Sequence, residues 1–139
     1  MEIFTQSEEE TINLGRDFAG RVSGGEALLL FGDLGAGKTV FTKGLALGLG
    51  IKDVVTSPTY VFLRSYRGQK FNLYHLDLYR LQSPLEVGRI GLDDLLADPW
   101  GLFVVEWPSL FPAQVVKGGY RFEFSQANGG GRLIQVQKF

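Results

Sequence analysis

Gly32-Asp33-Leu34-Gly35-Ala36-Gly37-Lys38-Thr39 fits the spacing G-x-x-x-x-G-K-[ST] without a mismatch. The chemistry this spacing allows is the gripping of phosphates. Gly32, Gly35 and Gly37 let the chain turn tightly and bring backbone N–H groups up to phosphate oxygens. A helix starting at the end of the loop adds unpaired donors and a positive dipole end. Lys38 would reach the β- and γ-phosphates as a mobile point charge, and the Thr39 hydroxyl would serve a magnesium ion.

Hydrolysis of a bound nucleotide needs more than this loop. The metal wants a carboxylate, and the attacking water wants orientation. Leu102-Phe103-Val104-Val105-Glu106 has the shape of a buried strand that delivers an acid at its carboxyl end, where open α/β sheets bind ligands. Asp77 is a second candidate, closing the stretch 71–76, although an aspartate there also reads as a helix cap or turn residue. His75 is the only histidine and shares a strand face with Asp77. A lone histidine so placed reads as a packed, hydrogen-bonded residue and not as a proton shuttle.

The elements that must position these groups follow from pattern. Ala27-Leu28-Leu29-Leu30-Phe31 is a continuous apolar run, as a buried parallel strand should be, and residues 40–49 read as a helix that Gly50 ends. Ser7 with Glu10 predicts a capping box. Thr11, Leu14, Phe18 and Val22 then carry a helix on to Gly24-Gly25. Residues 60–66 and 71–77 read as a hairpin about Arg67-Gly68-Gln69. Ser83-Pro84-Leu85-Glu86 starts a short helix, and residues 92–97 supply another turn or two. Tyr120, Phe122 and Phe124 alternate with polar residues, and a turn at 128–131 returns the chain through Ile134 and Val136. The expectation is one domain over residues 1–139 with an α/β, three-layer, P-loop NTPase-like fold. Its central mixed sheet has a parallel core holding the two apolar runs, with antiparallel hairpins attached.

Composition narrows the function. Hydrophobic residues are 45% of the 139, so the chain folds. A net charge of −1 without a basic run argues against independent nucleic-acid binding. Without cysteine there is no thiol catalysis and no disulfide. The absence of a long apolar run or a signal-like start leads to the expectation of a cytoplasmic protein without a membrane partner. No N-K-x-D stretch follows the apolar strands, which disfavours guanine. A small-molecule kinase would add a lid with arginines; Arg80 and Arg89 lie in a short segment with no visible acceptor pocket. A non-catalytic nucleotide-dependent binding module is the other alternative.

Four stretches together resemble the TsaE family of bacterial tRNA threonylcarbamoyladenosine synthesis. They are the loop at 32–39, Ser57-Pro58-Thr59-Tyr60, His75-Leu76-Asp77-Leu78-Tyr79-Arg80-Leu81 and Val105-Glu106-Trp107-Pro108, in the family's order across residues 11–108. Val40 stands where the family often has a second threonine. The resemblance implies an ATPase that binds ATP or ADP with Mg²⁺, is slow alone, and works with the TsaD–TsaB threonylcarbamoyl transferase, meeting tRNA only through that complex. It implies that Lys38, Asp77 and Glu106 are the catalytic set and that Thr39, Glu106 and Asp77 serve the metal, with either acid as its direct ligand. Nucleotide contacts are expected from Asp33, Leu34, Gly35, Ala36, Gly37, Lys38, Thr39, Val40, Thr59 and Trp107. Ser57-Pro58-Thr59, with Leu78-Tyr79-Arg80, would be the switch-like part. For the adenine, Gln6 and the turn at Gly131-Arg132 are plausible, because an arginine plane stacks on a base, though that turn equally suits a plain hairpin.

Overall fold

The computed structural model describes residues 1–33, 35–56, 62–89 and 91–139. The expectations placed on Leu34, Thr59 and the segment Ser57-Pro58-Thr59-Tyr60 lie outside the described residues.

The two continuous apolar runs lie side by side at the centre of the sheet because neither has a polar face to give to water. Strand β2 (Ala27–Phe31) pairs in parallel with β5 (Gly101–Glu106), Ala27 opposite Phe103 and Leu30 opposite Glu106. Around them are β1 (Glu2–Thr5), β3 (Leu63–Arg67), β4 (Asn72–Asp77), β6 (Gly119–Gln126) and β7 (Arg132–Lys138), and the sheet order is β1-β7-β6-β2-β5-β4-β3. The neighbours β6-β2-β5-β4 are parallel; the β3–β4, β6–β7 and β1–β7 pairs are antiparallel. Asp98 pins the start of β4 by accepting from Asn72 Nδ2 at 2.9 Å and from the Tyr74 hydroxyl at 2.6 Å.

Alternation along the strands divides the core in two. Leu28, Leu30, Leu73, Leu102, Val104 and Phe122 pack beneath helices α1 (Glu8–Phe18) and α2 (Lys38–Gly48) through Phe18, Phe41 and Leu45. On the opposite face Leu29, Leu76, Phe103 and Val105 meet Val87 of α3 (Pro84–Gly88), Leu92 of α4 (Leu92–Leu96) and Phe111. The expected mixed sheet with a parallel core, covered on both faces, is the observed one.

Three local details differ from the sequence reading. Strand β1 was not expected: Ile3 is half-buried and Phe4 half-exposed, so four residues carry too little periodicity to show, and β7 makes the strand by pairing. Helix α1 stops at Phe18 and not at Gly24, because Gly20 and Arg21 donate to the carbonyls of Asp17 and Phe18, three residues back, which tightens the chain into turns. Val22 is nonetheless buried. At the other end, Ser7 caps Glu10 N–H at 3.1 Å, but the Glu10 carboxylate accepts from the Gln6 N–H, one residue before the expected partner.

Helices α1 and α2 cross closely enough to exclude a methyl group. A Cβ on Gly44 would stand 1.9 Å from the Ile12 carbonyl oxygen, and one on Gly15 would stand 2.2 Å from that of Phe41. Alanine gains about 1 kcal/mol over glycine in a helix interior, whereas overpacking against backbone costs about 1–3 kcal/mol, so the clash wins. We therefore expect Gly44→Ala to lose about 1–2 kcal/mol in urea unfolding. A variant as stable as the parent would show that the helices can part at no cost.

Candidate functional site

The site is built on one edge of the sheet, at the carboxyl ends of its parallel strands. Leu30, Glu106 and Asp77 stand in one register across β2, β5 and β4. The chain leaves β2 through Gly32 and re-enters helix at Lys38, two residues earlier than the sequence pattern predicts, so Lys38 and Thr39 form the first turn of α2. The helix begins there because Gly37, in the left-handed region at φ 106°, turns the loop into it. Both acids thus face the first turn of α2 across the strand ends.

A cavity of about 530 Å³ opens at this edge. Its phosphate-loop wall is Gly35, Gly37, Lys38, Thr39 and Val40; its acidic wall is Asp77 and Glu106, with Tyr79, Arg80 and Trp107 beside them. The far wall is Gln6, Ser7, Glu8 and Thr11 with Gly131 and Arg132. Gln6 and the Gly131-Arg132 turn, distant in sequence from the loop, therefore share its cavity. Arg132 donates to the Gly35 carbonyl at 3.1 Å and lies over Gly37. Asp33 and Ala36 do not line the cavity: Asp33 is exposed, though close enough to act on the Lys38 charge, and Ala36 is buried in the core.

Lys38 is the most constrained charge. It is buried; its ammonium donates to the Gly32 carbonyl and rests 4.1 Å from the centre of the Trp107 ring. Burial lowers its pKa from the ordinary lysine value, against the opposing pull of Glu106, Asp77 and Asp33. Trp107 holds a left-handed backbone at φ 55°, a conformation that costs a non-glycine residue about 1–3 kcal/mol. Its ring also meets Tyr79, with centroids 4.8 Å apart.

The two acids are each held by one oxygen. Asp77 Oδ1 accepts from the Tyr79 N–H at 3.0 Å, and Glu106 Oε2 lies 2.6 Å from His75 Nε2. Burial pushes the Asp77 pKa up and Glu106 adds to the rise, while the Tyr79 hydrogen bond, His75 and Lys38 oppose it. One hydroxyl and two carboxylates are hard oxygen donors of the kind Mg²⁺ takes, so Thr39, Asp77 and Glu106 fit that ion when phosphate oxygens complete the set. Among the described residues no cluster of three or more His, Cys, Asp or Glu side chains suited to holding a metal occurs.

The profile described as threonylcarbamoyl adenosine biosynthesis protein TsaE matches residues 5–134. The chain belongs to the TsaE family. A relative from Bacillus subtilis is 41% identical over 130 residues, covering 94% of this chain and 80% of its own. One from Borreliella burgdorferi is 37% identical over 131 residues, covering 94% and 95%. Both are named tRNA threonylcarbamoyladenosine biosynthesis protein TsaE. The crystal structure of Bacillus subtilis YdiB superposes with a TM-score of 0.79 at 34% identity, covering 98% of this chain and 83% of that one. Among the described residues of this TsaE-family chain no helix is long and apolar enough to cross a membrane.

Two features of the site escaped the sequence reading. The contact of His75 with Glu106 needs the β4–β5 register, which no local pattern gives; the one available signal was the shared face of His75 and Asp77. Ser7, Glu8 and Thr11 line the cavity wall, whereas their local pattern signals only a helix start. The raised Asp77 pKa has a consequence for stability. A native carboxyl that holds its proton more tightly than the unfolded chain makes stability fall as pH rises through the window between the two pKa values. Asp77 faces Glu106, His75 and Lys38 there. Asp77→Asn is expected to raise the Tm of the nucleotide-free protein at pH 7.5. The gain should shrink on acidification and vanish below about pH 4, the ordinary aspartate range. An equal or lower Tm at pH 7.5 would show that the carboxylate is held favourably.

Proposed function

We propose that this chain is an Mg²⁺-dependent ATPase of tRNA threonylcarbamoyladenosine biosynthesis, acting with the TsaD–TsaB transferase in the cytoplasm. The reading is carried by one observation: a single cavity gathers the phosphate loop, a buried lysine and two buried carboxylates at one sheet edge. Its relatives' names supply the pathway.

Each group then has a task. The loop backbone from Gly35 to Thr39 and the first turn of α2 grip the phosphates. Lys38 exchanges the Gly32 carbonyl and the Trp107 ring for phosphate oxygens, a trade favoured because a buried ammonium gains more from a full charge than from a dipole. Thr39 and the two acids would hold Mg²⁺, whose chemistry is to neutralise charge developing on the phosphates. The carboxylate oxygens of Asp77 and Glu106 not engaged by Tyr79 and His75 are the groups able to orient a water. The far wall, with Gln6 and the Arg132 plane, would take the base.

No other substrate motif is present, so the energy of hydrolysis has to leave as a change of surface. Leu78-Tyr79-Arg80 follows Asp77 directly, and the Tyr79 N–H is bonded to it while the Tyr79 ring meets Trp107 at a tilt, so the acid and this segment are coupled. The ATP and ADP forms would then meet the transferase differently.

The decisive assay is the product formed from ATP. ADP with free phosphate is expected, and a phosphorylated metabolite or no product would reverse the reading towards a kinase or a binding module. Lys38→Ala should lose tight ATP binding. Glu106→Gln should lower turnover by about 100-fold or more while largely keeping nucleotide affinity. Titrating the TsaD–TsaB transferase into protein loaded with a non-hydrolysable ATP analogue or with ADP should give unequal affinities. Equal affinities, with turnover unaltered by the partner, would exclude the switch.

A further inference from the structure

Among the described residues, His75 and Glu106 form the one buried side-chain pair of the site whose geometry fixes a proton. His75 is wholly buried, so its ring cannot look to solvent for a partner, and Glu106 is only 4% exposed. Nε2 of the imidazole lies 2.6 Å from Glu106 Oε2. Nδ1 of the same ring is buried and has no hydrogen-bond partner among the described residues. A proton on Nδ1 would bury an unpaired N–H, which costs about 1–3 kcal/mol; on Nε2 it meets a carboxylate. The ring is therefore the Nε2–H tautomer donating to Glu106.

The position is set by the sheet. Asp77 stands opposite Glu106, and His75, two residues earlier on the same face of β4, reaches Glu106 diagonally from opposite Val104. Glu106 sits between two attractions and one repulsion: Lys38 draws it, His75 holds it, and Asp77 repels it. With Oε2 committed to His75, Oε1 is the oxygen left for the cavity that Glu106 lines.

We propose that His75 is a positioning residue that locks Glu106 through this single hydrogen bond, keeping its second oxygen available to the magnesium–phosphate cavity and preventing its collapse onto Lys38. The proposal rests on the assignment of Glu106 to metal or water made above.

Two readouts test it. First, His75 is the only histidine, so the imidazole ¹⁵N spectrum of the whole protein reports it alone. The expected spectrum is that of the Nε2–H tautomer, with Nε2 shifting when Mg²⁺ is added to protein loaded with a non-hydrolysable ATP analogue. A proton on Nδ1, or an Nε2 signal indifferent to Mg²⁺, would overturn the proposal. Second, the Mg²⁺ dependence of analogue binding is measured by calorimetry. His75→Leu should raise the Mg²⁺ concentration needed by roughly 10–100-fold, the usual effect of removing a hydrogen-bond partner from a metal-site carboxylate, while binding without Mg²⁺ stays within about threefold. His75→Gln, whose Nε2 amide can donate from a similar place, should recover most of that loss. Wild-type Mg²⁺ dependence in His75→Leu, or a folded His75→Gln no better than His75→Leu, would reduce His75 to packing. Glu106→Gln is the control. Wild-type Mg²⁺ dependence there removes the role of Glu106 itself, whereas its loss there with retention in His75→Leu removes only the role of His75.

Discussion

Leu30, Glu106 and Asp77 stand in one row across three parallel strands, and the site depends on that register. A slip of one residue in β5 or β4 would send an acid to the opposite face, among Val105, Leu76 and Phe103. The register is therefore enforced by burial: both faces of β5 are core, and every one of its residues is buried. The two central strands carry few polar side chains because they have no exposed face on which to place them. Their polar groups are confined to the ends.

At those ends the protein buries charge of both signs. Lys38 loses hydration and so tends to give up its proton; Asp77 loses hydration and so tends to keep one. Such a cluster is poor for stability, since desolvation offsets much of the attraction between its members. It suits a ligand that is itself densely charged. A phosphate chain with its metal would satisfy the ammonium and the carboxylates at once. The positive-φ glycines of the loop and the left-handed Trp107 backbone are structural costs of packing these groups at one edge.

Much of this was legible in the sequence, for physical reasons that differ by element. Continuous apolar runs announce β2 and β5 because strands buried on both faces must be apolar throughout. The alternation from Tyr120 to Ser125 announces β6 because its other face is wetter. The phosphate loop is local, so eight residues state it in full. What was not legible is what depends on contact between distant segments: β1 exists through its pairing with β7, and the His75–Glu106 bond through the register of β4 on β5. The early end of α1 is hidden for a local reason instead: the chain tightens into turns after Phe18 while Val22 keeps the helical spacing and is buried.

If the cavity takes a nucleotide as proposed, Lys38 must change partners when the phosphates bind. A crystal structure with Mg²⁺ and a non-hydrolysable ATP analogue tests this most directly. The expected result is terminal phosphates in the cavity between the loop and the two acids, with the Lys38 ammonium on phosphate oxygens and no longer on the Gly32 carbonyl. Nucleotide bound elsewhere, or bound in the cavity with Lys38 still on Gly32 and against Trp107, would contradict it.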